Sequence, residues 1–189
     1  MSIAAVVLAA GGSTRLGRPK QLIVFNGETL VERVIRIAAE AGLTPIIAVV
    51  VAYPELANRL QTDQKCTTIF CLRQPTEGIS HSIKLGIVQA RRYYAAGAIL
   101  LTCDQVAVTP EHLQALCAEP DAPCGSAYAG RIGVPAYFPG SSFDALMVLD
   151  GDTGARELLR GARSVPNEAL SLDIDTEEDF CKAQASFEG

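Results

Sequence analysis

The chain has 189 residues, a net charge of −5 and an apolar share of 49%, enough for one ordinary domain with a sizeable core and too apolar for a disordered segment. An acidic balance, pI near 5.1, argues against wrapping nucleic acid or lying on an anionic membrane surface. The longest strongly apolar stretches, Ile3 to Ala10 and Ile46 to Ala52, fall well short of the ~20 residues of a bilayer helix; the first has no Lys or Arg before it and does not read as a secretory signal, so a cytoplasmic location is expected.

In chain order, Ile3–Ala9 is apolar at consecutive positions and predicts a strand buried on both faces. Glu28–Ala41 carries the 3.6-residue period, with Leu30, Val34, Ile37, Ala38 and Ala41 on one face, and Gly42 closes this helix. Pro45–Ala52, Thr67–Leu72 and Ala98–Thr102 read as further buried strands; Pro54–Gln61 and Gly78–Tyr94 read as helices between them. Thr109-Pro110 opens a helix with a hydroxyl cap and a proline in the first turn. From Pro120 to Gly140, prolines and glycines alternate with apolar segments such as Val134–Phe138, which predicts an elaborated loop-and-strand region. Thr176-Glu-Glu-Asp179 opens a last helix with acids at the positive end of its dipole. Strands alternating with helices predict an α/β fold: a single-domain, Rossmann-like three-layer α/β/α sandwich with a mostly parallel sheet. Ligands of such sheets bind beyond the carboxyl ends of the strands.

The first strand runs into Ala10-Gly-Gly-Ser-Thr-Arg-Leu-Gly-Arg-Pro-Lys20. Glycines let successive N–H groups turn inward on an anion, and Arg15, Arg18 and Lys20 precede the first downstream acid, Glu28. A polyphosphate suits such a loop. It is not a Walker loop, because Arg18-Pro19 follows Gly17, and GxGxxG is absent. Taken alone, the loop fits a solvated surface turn as well.

The six cysteines (Cys66, Cys71, Cys103, Cys117, Cys124, Cys181) form no CxxC pair and no zinc pattern with His81 or His112; buried reduced thiols are expected over a disulfide framework. Two histidines and no GxSxG leave little room for triad chemistry.

Leu8-Ala-Ala-Gly11, Ser13, Arg15, Gly17 and Lys20 match the LAAGxSxRxGxxK signature. Glu77-Gly78 with Ser82 and Gly86, Thr102-Cys103-Asp104-Gln105, Gly133-Val-Pro135, Gly151-Asp-Thr-Gly-Ala-Arg156 and Asp173-Ile-Asp-Thr176 follow in order. As an ordered set over most of the chain they resemble the MobA/MocA-like nucleotidyltransferases, the group that includes molybdenum cofactor cytidylyltransferase. The resemblance implies transfer of a nucleotidyl group from an NTP to a phosphorylated acceptor, with release of pyrophosphate. By that resemblance residues 1–118 form a nucleotide-binding half and 119–189 an acceptor-binding half of one domain. Nucleotide contacts fall to Leu8, Ala9, Ala10, Gly11, Gly12, Ser13, Arg15, Lys20, Gln74, Gly78, Ser82 and Asp104, with Arg15, Lys20 and Asp104 catalytic. Acceptor contacts fall to Gly133, Pro135, Gly151, Asp152, Gly154 and Arg156. Mg²⁺ would be held by Asp104 and Asp175, with Asp173 as the alternative second ligand.

Guanylyl members read LAGG where this chain has Leu8-Ala-Ala-Gly11, so the resemblance implies CTP over GTP, with a pterin phosphate as acceptor and a molybdoenzyme apoprotein as a partner downstream. Neither nucleic acid nor a membrane is implied. Val106 stands in place of the group's proline after DQ, Leu16 replaces its usual methionine, and Val134 stands where relatives carry histidine. As residue types alone, Asp104 also suits a turn cap, and Asp173 and Asp175 a solvated strand end. The alternatives are a guanylyl- or cytidylyltransferase acting on another small phosphate such as a sugar phosphate, and a non-catalytic nucleotide- and pterin-binding accessory protein.

Overall fold

Strand β1 (Ile3–Ala9) sets the layering: every residue after Ile3 is buried, with Ala5, Val7 and Ala9 in one core and Ala4, Val6 and Leu8 in the other. A strand apolar at successive positions needs cover on both faces, and helices supply it. The computed structural model describes residues 1–11, 17–51, 56, 60, 68–72, 78–152 and 154–187. After β1, a small ribbon pairs β2 (Val24–Phe25) with β3 (Glu28–Thr29), and helix α1 (Leu30–Glu40) follows. Then come β4 (Ile46–Val51), β5 (Thr68–Leu72), α2 (Ile79–Arg92), β6 (Gly97–Thr102) and α3 (Pro110–Leu116). The second part holds β7 (Cys124–Tyr128), β8 (Arg131–Pro139), α4 (Phe143–Met147), β9 (Arg163–Pro166) and α5 (Glu177–Phe187).

The main sheet has the order β5-β4-β1-β6-β8-β7-β9. Its neighbours are parallel except that β8 runs against both β6 and β7. The predicted α/β sandwich with a mostly parallel sheet is the fold observed. On one face α1, α3 and α5 bury Leu30, Val34, Leu113, Leu116 and Ala183; on the other α2 and α4 bury Ile83, Ile87, Phe143 and Leu146. Each fully buried Leu, Ile or Phe side chain contributes roughly 1.5–3 kcal/mol relative to exposure. Gly86 lets α2 lie directly on β1, since a Cβ there would overlap the Val6 side chain.

The helix expected over Glu28–Ala41 starts later. Glu28 and Thr29 pair with Phe25 and Val24, and Thr29 is the N-cap: its Oγ1 accepts from the Glu32 N–H at 3.3 Å while the Glu32 carboxylate accepts from the Thr29 N–H at 2.9 Å. A capping residue takes extended backbone, so the two residues before Leu30 are free to join a ribbon. Of the helix expected over Pro54–Gln61, Leu56 and Leu60 are helical and buried; its other residues lie outside the described ones. The stretch rich in Pro and Gly from 120 to 140 is the β7–β8 hairpin. Among the described residues no helix is long and apolar enough to cross a membrane.

Candidate active site

Leu8 of β1 lies opposite Thr102 of β6, so the segments that follow these two strands emerge side by side. The strand order also reverses here, with β4 and β5 on one side of β1 and β6 on the other, the place where open α/β sheets bind ligands. Because β8 is reversed, its amino end, Arg131 to Val134, comes to the same edge of the sheet.

A cavity of about 330 Å³ occupies this edge, lined among others by Leu8, Ala9, Ala10, Gly11, Lys20, Gly78, Ser82, Asp104 and Asp152. Lys20 stands at its centre of charge: its Nζ donates to Asp104 Oδ2 at 3.1 Å and to Asp175 Oδ1. Burial opposes the ammonium charge, but the two carboxylates outweigh it and hold the Lys20 pKa above its usual value. Asp175 reaches this point because its segment is stitched to the loop after β6. Gln105 bridges Asp173 in antiparallel fashion, and the Ile174 N–H donates to the Asp104 carbonyl at 3.1 Å. Arg33 supports the same loop by donating to the Val106 carbonyl at 3.0 Å, and Val106 itself is buried in the core, a position that suits valine by volume.

Gly78 shows why this corner requires glycine. Its φ is +89°, and a Cβ would collide with the Gly151 carbonyl; the Ser80 N–H donates to that carbonyl at 3.3 Å. The contact draws the turn at Gly151 and Asp152 against the start of α2, and Asp152 thereby lines the first cavity rather than the second.

The second cavity, about 260 Å³, shares Leu8, Ile79, Thr102 and Asp104 with the first and adds Gln105, Tyr128, Arg131, Gly133, Val134, Gly154, Arg156 and Asp173. Gln105 Nε2 donates to the Tyr128 hydroxyl at 3.1 Å and to the Leu170 carbonyl at 3.3 Å, and the Tyr128 hydroxyl donates to the Val134 carbonyl at 3.0 Å. Burial, reinforced by the charge of Asp104, raises the Asp173 carboxyl to about 6, and its buried Oδ1 has no hydrogen-bond partner among the described residues. Pro135 lines neither cavity; its carbonyl accepts from Ser126 Oγ at 2.6 Å, behind the second cavity's wall.

The structure therefore brings together Leu8, Ala9, Ala10, Gly11, Lys20, Gly78, Ser82, Asp104 and Asp175, and sets Gly133, Gly154 and Arg156 around an adjoining space. Gly12, Ser13, Arg15 and Gln74 lie outside the described residues. Arg18 faces away: it pairs with Glu177 at 2.8 Å and lies 5.8 Å from the Phe180 ring, fastening the loop to α5. His81 lines a polar depression with Lys84 and Asp150 that adjoins the first cavity at Gly78 and Asp152. Burial pushes the Cys103 thiol up to about 12, so it meets the first cavity as a neutral wall and not as a nucleophile. The sequence reading missed Arg131 and Tyr128, which belong to no motif; the signal was Tyr128-Ala-Gly-Arg131 between two apolar runs, a tight-hairpin pattern.

Asp104 and Asp175 are hard oxygen donors, and their two carboxylates converge on one cation, the Lys20 ammonium. No group of three or more His, Cys, Asp or Glu converges among the described residues. That donor set fits Mg²⁺, which is bound through one or two carboxylates together with substrate phosphates and waters.

The sequence model of the MobA-like NTP transferase domain matches residues 5–168. The purine catabolism protein PucB of Bacillus subtilis (strain 168) is 29% identical over 191 residues, covering 93% of this chain and 92% of that protein. A probable molybdenum cofactor guanylyltransferase of Opitutus terrae is 33% identical over 98 residues, which is 52% of this chain and 48% of the relative. Rv0371c from Mycobacterium tuberculosis H37Rv superposes with a TM-score of 0.83 at 25% identity, over 98% of this chain and 99% of that one. A manganese complex of Rv0371c superposes at 0.78 with 24% identity, over 98% and 100%. With the family match spanning most of the sheet and both cavities, the chain belongs to the MobA-like NTP transferase family and is a nucleotidyltransferase.

Proposed function

We propose that the protein transfers a cytidylyl group from CTP to the phosphate of a pterin cofactor, in the manner of a molybdenum cofactor cytidylyltransferase acting in the cytoplasm, and releases pyrophosphate. The observation that carries this reading is the cluster of Lys20, Asp104 and Asp175 at the meeting of two cavities that share Asp104. One cavity suits a nucleoside triphosphate and the other a second reactant, and reactants held on either side of one carboxylate suit an in-line displacement.

Attack on an α-phosphate calls for positioning and charge neutralisation more than for a side-chain nucleophile. The backbone at Ala10 and Gly11, with Lys20 and Arg15, would hold the β and γ phosphates and stabilise pyrophosphate as it leaves. Asp104 and Asp175 would hold Mg²⁺, with Asp173 beside them. When bound, the ion supplies Lewis-acid neutralisation of the triphosphate. Lys20 would then turn from the carboxylates toward the phosphates. The acceptor's phosphate oxygen forms the new bond to the α-phosphorus as the α–β bridging P–O bond breaks. A phosphate monoester carries its own nucleophilic charge, so no general base is needed, in keeping with His81 outside both cavities.

The choice of CTP rests on Ala10, which lines the first cavity and stands where the guanylyl signature LAGG has glycine. A methyl there leaves less room for a purine edge than the glycine of LAGG. The product, a cytidine dinucleotide cofactor, would pass to a molybdoenzyme apoprotein. The test is pyrophosphate release from CTP, GTP, ATP and UTP with Mg²⁺ and reduced pterin phosphate. CTP should exceed GTP severalfold, and release from none of the four would sink the reading.

A further inference from the structure

We propose that Arg131 is the residue that captures the acceptor's phosphate and thereby selects phosphorylated acceptors; the role rests on the nucleotidyl-transfer reading above. Beyond Asp104, whose charge the bound ion would neutralise, the second cavity meets an incoming dianion with the Asp173 carboxylate, and Lys20 in that reading turns toward the triphosphate. A cation on the acceptor's side has to offset that repulsion. Among the described lining residues, Arg131 and Arg156 are the cations.

Their positions differ. Arg156 also lines a neighbouring depression with Glu157 and Arg160, which puts it at the outer end of the space. Arg131 lies at the acidic end, with Nη2 3.8 Å from Asp173 Oδ2. A hairpin turn delivers it there: Ala129 and Gly130 both have positive φ, +47° and +68°, and Tyr128 pairs directly with Arg131. The guanidinium carbon lies 5.1 Å from the centre of the Tyr128 ring, and the ring is itself fixed by its hydroxyl to Gln105 and to the Val134 carbonyl. A cation–ring contact of this kind holds a guanidinium in place.

The ion pair with Asp173 is long, and the Arg131 side chain is 44% exposed. A phosphate that accepts two parallel N–H bonds is a better partner than a carboxylate at that distance. Gln105 and Tyr128 hydrogen-bond to one another and to backbone carbonyls, and Ile83, Leu100, Ile132 and Leu159 form the apolar part of the wall. Arg131 is thus the group on this wall built to read a phosphate.

The test compares wild type, Arg131→Gln and Arg131→Lys. Each is titrated with inorganic phosphate in the presence of Mg²⁺ and a saturating α,β-methylene analogue of whichever nucleotide binds best, so that the triphosphate cradle is filled. Arg131→Gln should weaken phosphate binding by about tenfold or more, as expected for loss of charge-assisted hydrogen bonds, and Arg131→Lys should recover part of it. Affinity for the nucleotide analogue should stay within about twofold in all three, given that Arg131 does not line the first cavity. In turnover, Arg131→Gln should raise KM for the acceptor by a similar factor with KM for the nucleotide unchanged. Equal phosphate affinity in wild type and Arg131→Gln, no phosphate binding by wild type, or a parallel loss of nucleotide affinity would each overturn the proposal. Failure of the cytidylyl-transfer reading looks different: wild type releases no pyrophosphate with pterin phosphate, while the phosphate titration still reports on Arg131.

Discussion

Asp104 faces both cavities and accepts from Lys20, so one carboxylate joins the two spaces to the half-buried cation. Asp104→Asn should reduce turnover by on the order of 10²-fold or more, as for loss of a preorganised electrostatic contact, with an unchanged unfolding transition; near-normal pyrophosphate release would remove Asp104 from the chemistry. Ala10→Gly should lower the ratio of kcat/KM for CTP over GTP by about tenfold, the scale of one methyl-sized difference in a pocket; an unchanged ratio would place base selection elsewhere. These residues were legible in the sequence because each follows a strand in a spaced motif. Arg131 was not, because its role comes from a turn that sets it across from Tyr128 and from a reversed strand that carries it to Asp173. Neither relation is written in residue spacing. The same holds for Arg18, one of three cations in the loop after β1, whose partner Glu177 lies far along the chain.

Helix α5 ties the segment that carries Asp173 and Asp175 to the stretch before Lys20. Thr176 caps it, accepting from the Asp179 N–H at 3.2 Å while the Asp179 carboxylate accepts from the Thr176 N–H at 3.0 Å. Phe180 and Phe187 meet Phe25 edge-on, and Arg18 joins the helix through Glu177. Because Asp175 immediately precedes the cap, Thr176→Ala should cost about 1 kcal/mol of stability and reduce turnover by more than it reduces nucleotide affinity. Urea unfolding with steady-state kinetics checks both; full activity with lost stability would separate the helix from the site. Helix starts at Thr109 and Thr176 could be read from the chain because a cap is a local signal. The start of α1 was misread by two residues because Glu28 and Thr29 are claimed by Val24 and Phe25, a pairing that the helical period does not encode.

Across the whole molecule, the sheet decides which loops meet. Apolar runs identified the central strands, but the order β5-β4-β1-β6-β8-β7-β9 and the reversal of β8 are long-range choices that short sequence windows do not contain. A buried chain of contacts holds the reversed strand in place: His112 Nε2 lies 2.7 Å from Ser126 Oγ, which donates to the Pro135 carbonyl. Burial lowers the His112 pKa below the usual histidine value. The folded protein therefore resists protonation there, the unfolded chain binds the extra proton, and stability contributed by neutral His112 is lost as pH falls below about 6.5. Wild type should lose stability between pH 7.5 and 5.5 more steeply than His112→Asn in parallel urea titrations; identical slopes would refute the assignment. The central claim, that a glycine-edged cradle and a carboxylate pair grip one nucleotide through one divalent ion, is tested most directly by the ³¹P hyperfine coupling of bound Mn²⁺ in the nucleotide complex. Strong coupling to the triphosphate in wild type, lost in Asp104→Asn and in Asp175→Asn, is the predicted result. Bound Mn²⁺ without phosphorus coupling, or coupling that survives in both variants, would contradict it.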